Sequence, residues 1–303
     1  MMRFKGVVVI RQWQQMIAFC IFMTGLLTVP SAHAGVGMLA GGESLYNSDL
    51  GFSGGNAVWD STRQKVPSVC KRRNASLVQG YEYGYSYFYT VYANVTFAHR
   101  RCGQNNNRNA PPTIGGQSTG IGDFEIGMRA RLNHANTAAW EATLIIPGGY
   151  NGNSPSALGR GALGLSLGLK FASDSGLSQR SSWAWKLGSK FTYYFATKGN
   201  SITSFGQVSY AFTETNFEQT GDFLSLRVNN NFAMANNGIQ QQLFFNQVQS
   251  SLTNSDSTSL SLGYSHAFGN GWSTNARIGK AFFGRSAPID YTAGWGLSYR
   301  WEE

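Results

Sequence analysis

Residues 162–171 read ALGLSLGLKF, and every second residue of this stretch is large and apolar. In an extended chain successive side chains point to opposite faces, so the leucines and the final phenylalanine share one face. The other face carries Gly, Ser and Lys. A helix packed on a core would instead repeat its apolar residues every three or four positions. The stretch therefore predicts a β-strand with one apolar face and one small or polar face.

The same two-residue period recurs in 123–132, where one face carries Asp123, Glu125, Arg129 and Arg131. So many charges could not be buried in the dry core of a β-sandwich, whereas a water-filled lumen accepts them. Within a bilayer only helices and closed barrels pair all their backbone polar groups. After residue 34 no window holds 18 uninterrupted apolar residues, as a membrane helix would require. The sequence predicts an all-β protein, an antiparallel transmembrane β-barrel.

Alternation and turn residues together predict about twelve strands, an even number as in other single-chain bacterial barrels. The predicted strands are 75–85, 88–100, 123–132, 138–147, 162–171, 183–193, 201–213, 222–234, 238–249, 260–268, 271–283 and 291–301. A further strand at 52–65 would require a fourteenth from 36–47, so fourteen is the alternative. With twelve strands and a periplasmic C-terminus, the long polar segments 102–118 and 148–160 would face the periplasm, although long loops normally face outward.

The beginning of the chain has the order of features typical of a secretory signal peptide. Arg3, Lys5 and Arg11 precede an apolar run at 16–29, and Ala32-His33-Ala34 has the form of a cleavage site. Residues 1–34 are therefore predicted to be the signal peptide and 35–303 the barrel, in the bacterial outer membrane. Aromatic content of 14% with only 13% charged residues suits such a barrel. Residues 35–60 show no plug signature like that of fatty-acid channels.

The strand at 291–301 places Trp295, Tyr299 and Trp301 on one face near the end of the chain. A terminal amphipathic strand of this kind resembles the signal read by the outer-membrane assembly machinery. We therefore expect that machinery, periplasmic chaperones and outer-membrane lipid, including lipopolysaccharide, as partners. We expect no nucleic-acid partner, since the chain has no basic cluster interleaved with stacking aromatics. A monomer is expected.

Two cysteines follow the signal peptide, Cys70 and Cys102, and they flank the predicted hairpin of 75–85 and 88–100. In an exported protein such a pair predicts a disulfide. Metal ligation would need His or acidic residues at liganding spacing, and only His99 is near, so no metal site is predicted. Basic clusters adjoin both cysteines, at 71–73 and 99–101. They are interpreted either as contacts for lipopolysaccharide phosphates or as a solvated rim.

Charged residues on the predicted inward faces are mostly basic. They are Glu82, Asp123, Glu125, Arg129, Arg131, Glu141, Lys170, Lys186, Lys190, Arg227, Arg277 and Arg300. Such a set can either close a narrow lumen by ion pairing or line a passage that favours anionic solutes, since Arg and Lys set anion preference in pores. We expect a porin-like channel for small solutes that needs no cofactor. A structural barrel involved in adhesion or exopolysaccharide is the alternative.

An enzymatic barrel is the less favoured alternative. It would need a Ser/His pair with a supporting acid or amide on the lipid-facing side. His266 falls on the outward face, but Ser265 beside it points inward, so the two cannot act together. No catalytic residue is predicted.

Three short motifs resemble a family of outer-membrane proteins associated with the meta pathway of phenol degradation. They are Gly120-Ile121-Gly122-Asp123, Glu82-Tyr83-Gly84, and LIIPGGY at 144–150. The resemblance covers about residues 80–195 and, loosely, the C-terminal hairpins. It implies a channel for uptake of small, often aromatic compounds.

Overall fold

The computed structural model describes residues 37–103, 116–149, 158, 161–173, 183–195, 200–212, 221–233, 255–268 and 270–302. The predicted signal peptide therefore lies outside the described residues. No helix in the described ranges is long and apolar enough to cross a bilayer.

Twelve antiparallel strands form one closed barrel in the described residues. The strands are β1 (Glu43–Trp59), β2 (Lys65–Gly84), β3 (Tyr89–Gly103), β4 (Gly116–Arg131), β5 (Ala138–Ile146), β6 (Gly164–Ala172), β7 (Trp183–Tyr194), β8 (Ser201–Ala211), β9 (Gly221–Ala233), β10 (Ser255–Ala267), β11 (Trp272–Arg285) and β12 (Ala287–Glu302). The predicted fold class and the preferred strand number are confirmed.

Each strand pairs with its neighbours in sequence, and β12 returns to pair with β1 from Glu43↔Glu302 to Trp59↔Ala287. One irregularity interrupts this last ladder, between Gly54 and Ala57. Because the circle is closed, no strand edge is left with unpaired backbone groups facing lipid.

The identity of the twelve strands differs from the prediction in two respects. The first strand, β1, comes from the region predicted only as an optional extra pair at 36–47 and 52–65. The predicted strand at 238–249 lies outside the described residues, and β9 pairs directly with β10. Alternation at 52–65 is weak because Gly54, Gly55 and a bulge interrupt it, which is why the sequence understated β1.

Adding β1 at the front reverses the predicted orientation of the loops. The start of β1 and the end of β12 lie at one end of the barrel, together with the connections 85–88, 132–137, 173–182, 212–220 and 268–271, and the three longest connections lie at the other end. The segments 104–115, 147–163 and 234–254 join strands at the opposite end. Because outer-membrane barrels have short periplasmic turns and long outer loops, the end with the long segments is extracellular. The predicted conflict is resolved, because it arose from omitting β1 and from placing a strand at 238–249 between β9 and β10, which pair directly.

An apolar belt covers the outer wall. The outward residues of β6 and β7 predicted from alternation are all exposed, from Trp183 at 61% to Phe191 at 40%. A soluble protein would not leave so many large apolar side chains in water, whereas a bilayer solvates them. The belt is therefore the lipid-facing surface of the barrel.

Aromatic side chains are stacked where the barrel closes. Tyr299 on β12 is only 5% exposed because it lies between Trp272 (ring centroids 4.8 Å apart) and Trp301 (5.2 Å). Trp301 in turn lies 6.1 Å from the ring of Tyr81 on β2. Trp295, which precedes Tyr299 by four residues on β12, is half exposed on the same outer face. The predicted assembly signal thus lies at the seam of the barrel, and its recognition by assembly factors stays a prediction.

Replacing Leu167 by Arg tests whether the exposed belt faces lipid. We expect the free energy of unfolding in lipid vesicles to fall by about 2–4 kcal/mol, because a charge is then moved into hydrocarbon. Leu167→Phe is the control and should cost far less. Urea titration of folded protein in vesicles measures both, and equal costs for the two variants would contradict a lipid-facing Leu167.

Candidate functional site in the barrel lumen

An ion-paired cluster on the inner wall joins β2, β4, β5 and β6 near the periplasmic end. Arg129 donates from Nη1 to Glu82 Oε2 (2.7 Å) and from Nη2 to Glu82 Oε1 (3.0 Å). Its Nε donates to Glu141 Oε2 at 3.0 Å, and Lys170 also donates to Glu141. Two-point Arg–carboxylate pairing of this kind is both strong and directional. Four of the predicted lumen residues therefore form one bridge across four strands.

Aromatic and hydroxyl groups pack against this cluster. The guanidinium carbon of Arg129 lies 4.6 Å from the centre of the Tyr92 ring, and the Tyr92 hydroxyl bonds to Thr143 at 2.5 Å. Glu82, Glu141 and Tyr92 are buried. The cluster is therefore a rigid part of the inner wall, and its charges are largely compensated.

Residues 37–42 lie inside the barrel at the same end. Met38 is fully buried and packs with the inward residues Ala139 and Ala172 at the periplasmic ends of β5 and β6. Arg129 Nη1 donates to the carbonyl of Gly37 (2.9 Å), and the amide of Leu39 donates to Thr90 Oγ1 (3.0 Å). The segment therefore reaches from β1 across to β6 and narrows the lumen.

Gly84 on β2 allows the backbone of residues 37–42 to lie close to the inner wall. A Cβ atom added there would lie 1.8 Å from the carbonyl oxygen of Ala40, so only glycine allows the close approach. Gly42 then donates its amide to the Gly84 carbonyl at 2.9 Å. Sequence analysis did not predict that residues 37–42 enter the lumen, because this short, mostly apolar segment gives no periodic signal.

A cavity of about 360 Å³ lies along the inner wall from β5 to β9. Its inward polar lining comes from Glu141, Lys170, Lys190, Thr203, Arg227, Asn229 and Asn231. Phe205 supplies an aromatic ring. A pocket with a few convergent polar groups and an aromatic surface is the usual form of a small-molecule site.

The cations of this cavity are not all neutralised. Arg227 donates to Asn229 Oδ1 (2.7 Å) and stacks 4.2 Å over the Phe205 ring, contacts that leave its charge uncompensated. Lys190, and Lys186 four residues nearer the periplasm on β7, form no ion pair with any described residue. Of the acids lining the cavity, Glu141 is already shared by Arg129 and Lys170. This wall therefore has a local excess of positive charge.

Two further predicted inward cations have acidic partners across the lumen wall. Arg277 lies 3.7 Å from Asp49, and Arg300 pairs with Glu43. Arg72, which sequence analysis assigned to a rim cluster, instead contacts Asp290 at 2.8 Å on the inner wall. The prediction missed these three acids because they lie on β1 and on the first part of β12, outside the strands assigned from alternation. Apart from Arg131 on β4, the predicted inward cations that form no ion pair with a described residue therefore lie on β7 and β9.

Arg131, Asp123 and Glu125 lie on β4 outside the cavity lining. Arg131 stacks 4.1 Å over Tyr87 and lies 3.5 Å from the carbonyl of Leu39, so it contacts the N-terminal segment. Asp123 follows Gly120 and Gly122, which both pack against the buried Leu158. A Cβ atom added at Gly122 would lie 3.1 Å from the carbonyl oxygen of Leu158. The glycine motif at 120–123 is therefore a close-packing site of an outer loop.

Cys102 is buried on β3, where it pairs in register with Arg72. Cys70 lies two residues earlier on β2, and its side chain is outside the described residues. The disulfide between them stays a prediction.

His266 has an acidic partner on the outer face. Its Nδ1 lies 2.7 Å from Asp222 Oδ1, and Asp222 also bonds to the Tyr264 hydroxyl. A hydroxyl residue, Thr274, lies opposite His266 on β11. Its hydroxyl donates to the Gly296 carbonyl (3.0 Å) and is therefore not directed at the histidine as a nucleophile would be. Ser265 belongs to the inner face of β10. The described residues hold no group of three or more His, Cys, Asp and Glu that could hold a metal.

Comparison with solved structures identifies the architecture. The COG4313 outer membrane channel from Pseudomonas putida F1 matches 87% of this chain and 97% of its own length, with a TM-score of 0.65 and 14% sequence identity. The fold is that of an outer-membrane barrel. Together with the apolar belt, this places the chain in the bacterial outer membrane.

Two further structures resemble it less. The translocator domain of the autotransporter NalP from Neisseria meningitidis has a TM-score of 0.47 at 12% identity, covering 88% of this chain and 91% of its own. The CymD monoaromatic hydrocarbon channel has a TM-score of 0.42 at 10% identity, covering 88% and 89%. No family model matches the chain, and no curated protein matches it.

Arg129→Gln tests whether the ion-paired cluster stabilises the barrel. We expect a loss of about 3–5 kcal/mol in the free energy of unfolding, because Glu82 and Glu141 are left buried with fewer cations. Lys170→Gln is the control and should cost less, since Glu141 keeps its 3.0 Å contact with Arg129. Equal costs measured by urea titration would contradict a central role for Arg129.

The predicted disulfide is tested by alkylation under denaturing conditions. The exported protein should bind no maleimide reagent until it is reduced, and then two equivalents, because both thiols are tied up in one bond. Cys70→Ser should make Cys102 reactive without reduction. Labelling of the unreduced, denatured wild-type protein, read by mass spectrometry, would show free thiols instead.

Proposed function

We propose that this protein is a passive channel for small solutes, and that the wall formed by β6–β9 favours anions with an aromatic ring. The observation that carries the proposal is the cavity where Arg227 stacks on Phe205 beside Lys190, with neither cation in an ion pair with a described acid.

The side chains of this wall can contact both the anionic group and the aromatic ring of a single solute. Arg and Lys side chains set anion preference in pores because they offset the cost of removing water from an anion. Phe205 and the amides of Asn229 and Asn231 offer a ring face and further hydrogen-bond groups. An aromatic carboxylate could use both at once. The volume of about 360 Å³ admits a single ring with its substituents.

The rest of the lumen favours a channel that selects among solutes over one that lets all small solutes pass. The Arg129 cluster and residues 37–42 lie at the periplasmic side of the cavity and leave less open space there. A solute entering from outside therefore meets the cationic wall before this narrow part. A narrow pore with one charged wall distinguishes solutes by size and charge, as a wide porin does not.

Liposome swelling tests the proposal with two anions, benzoate and acetate. Arg227→Gln should slow the entry of both, because one uncompensated cation is lost from the wall. We expect a several-fold decrease in rate, in line with a loss of roughly 1 kcal/mol of anion stabilisation. Phe205→Leu should lower the benzoate rate more than the acetate rate, because only benzoate can stack on the ring.

Arg277→Gln is the matched control, because Arg277 is a lumen cation that already has Asp49 as its partner. It should change the anion rates much less than Arg227→Gln. Equal effects of the two substitutions would contradict a selective wall at β7 and β9. Absence of any swelling with the wild-type protein would contradict a channel.

A further inference from the structure

We infer that the outer face of β1–β4 binds the phosphate groups of an outer-leaflet glycolipid, through a surface formed by Lys71, Arg73 and Arg101. We refer to these three residues as the rim cations. All three are exposed, and the structure gives them no ion pair or hydrogen bond with other described residues. The inference is independent of the proposed channel function.

The strand register separates outward from inward cations in this region. Sequence analysis placed six basic residues at 71–73 and 99–101 in two clusters without assigning them to a face. Arg72 faces the lumen and contacts Asp290 and Ser68. Arg73 and Lys71 alternate with it and face out, as Arg101 does on β3.

Two of the rim cations lie directly opposite each other. Arg73 pairs in register with Arg101, and the other neighbours in this row are Gly54 on β1 and Gln117 on β4. Like charges in directly opposite positions destabilise a sheet. No acidic residue lies in the row to offset them. A bound dianion such as a phosphate monoester would convert this repulsion into charge-assisted hydrogen bonding.

The cross-strand rows of outward residues on the periplasmic side of the rim cations indicate what the rest of the ligand must be. Two residues nearer the periplasm, the row is Phe52, Ala75, His99 and Thr119. Two residues further, it is Leu50, Leu77, Phe97 and Ile121. Each step is about 7 Å along the strand. The outer surface thus changes from fully apolar to cationic within two steps.

This gradient favours a lipid over a soluble anion. Acyl chains would lie against Phe97 and Ile121, which are exposed. The headgroup of the same molecule would then reach the level of Arg73 and Arg101. Because this end of the barrel carries the long loops, the lipid belongs to the outer leaflet. The occupant is therefore a glycolipid with phosphate on its sugar, as in lipopolysaccharide.

Arg73→Gln/Arg101→Gln tests the inference in the whole mature protein, purified in detergent micelles. Native mass spectrometry measures binding of lipid A carrying two phosphates. We expect the dissociation constant to rise about tenfold or more, because two cations at an anionic lipid surface are lost. The variant should fold, since the substitutions remove a repulsive pair, and the heat-dependent shift in gel mobility verifies this.

Arg63→Gln/Arg285→Gln is the matched control. It removes two cations from the same end of the barrel, but both of these contact Asp256, at 3.2 and 3.3 Å. Lipid A binding should be nearly unchanged in this control. Equal weakening in both double variants would overturn the inference, as it would reflect net charge alone.

Two further probes distinguish the source of the phosphate. Lipid A stripped of its phosphates should bind weakly to wild type and to Arg73→Gln/Arg101→Gln alike. Inorganic phosphate should not compete at millimolar concentration. If the phosphate-free lipid bound as tightly as the phosphorylated one, or inorganic phosphate displaced it, a phosphorylated glycolipid would not be the occupant.

Discussion

The ladder between β12 and β1 is the contact on which the rest of the structure depends. In hydrocarbon an unpaired backbone amide or carbonyl costs several kcal/mol, so an open sheet could not remain in the bilayer. Closure from Glu43↔Glu302 to Trp59↔Ala287 removes both edges at once. It also fixes which face of each strand is inside. Each later feature of the wall, apolar outward or charged inward, follows from that assignment.

Closure also explains why the lumen can hold so many charges. Arg129, Glu82, Glu141 and Lys170 come from four strands that are brought together only in the curved wall. Their mutual pairing stiffens the periplasmic half, and the backbone of residues 37–42 uses the same Arg129 for an additional hydrogen bond. The compensated cluster and the uncompensated wall at β7 and β9 are therefore distinct in role. The first supports the barrel, and the second is available to a solute.

Much of this was predictable from period-two alternation. β6 and β7 were predicted almost to the residue because their apolar positions alternate without interruption. β1 was undervalued because glycines and a bulge hide its pattern. Its omission, together with a strand assigned at 238–249 although β9 pairs directly with β10, reversed the predicted loop orientation. Ion-pair partners were beyond sequence reasoning. Asp49 and Arg277 are far apart in the chain, and only the register of β1, β12 and β11 brings them to 3.7 Å. The short N-terminal segment carried no periodic signal at all.

The central claim is that the uncompensated cations of β7 and β9 make the lumen selective for anions. The reversal potential of single channels in a neutral planar bilayer, under a tenfold gradient of KCl, measures this most directly. The account predicts a potential whose sign shows that chloride crosses more readily than potassium. A potential of the opposite sign, or one equal to zero, would contradict it.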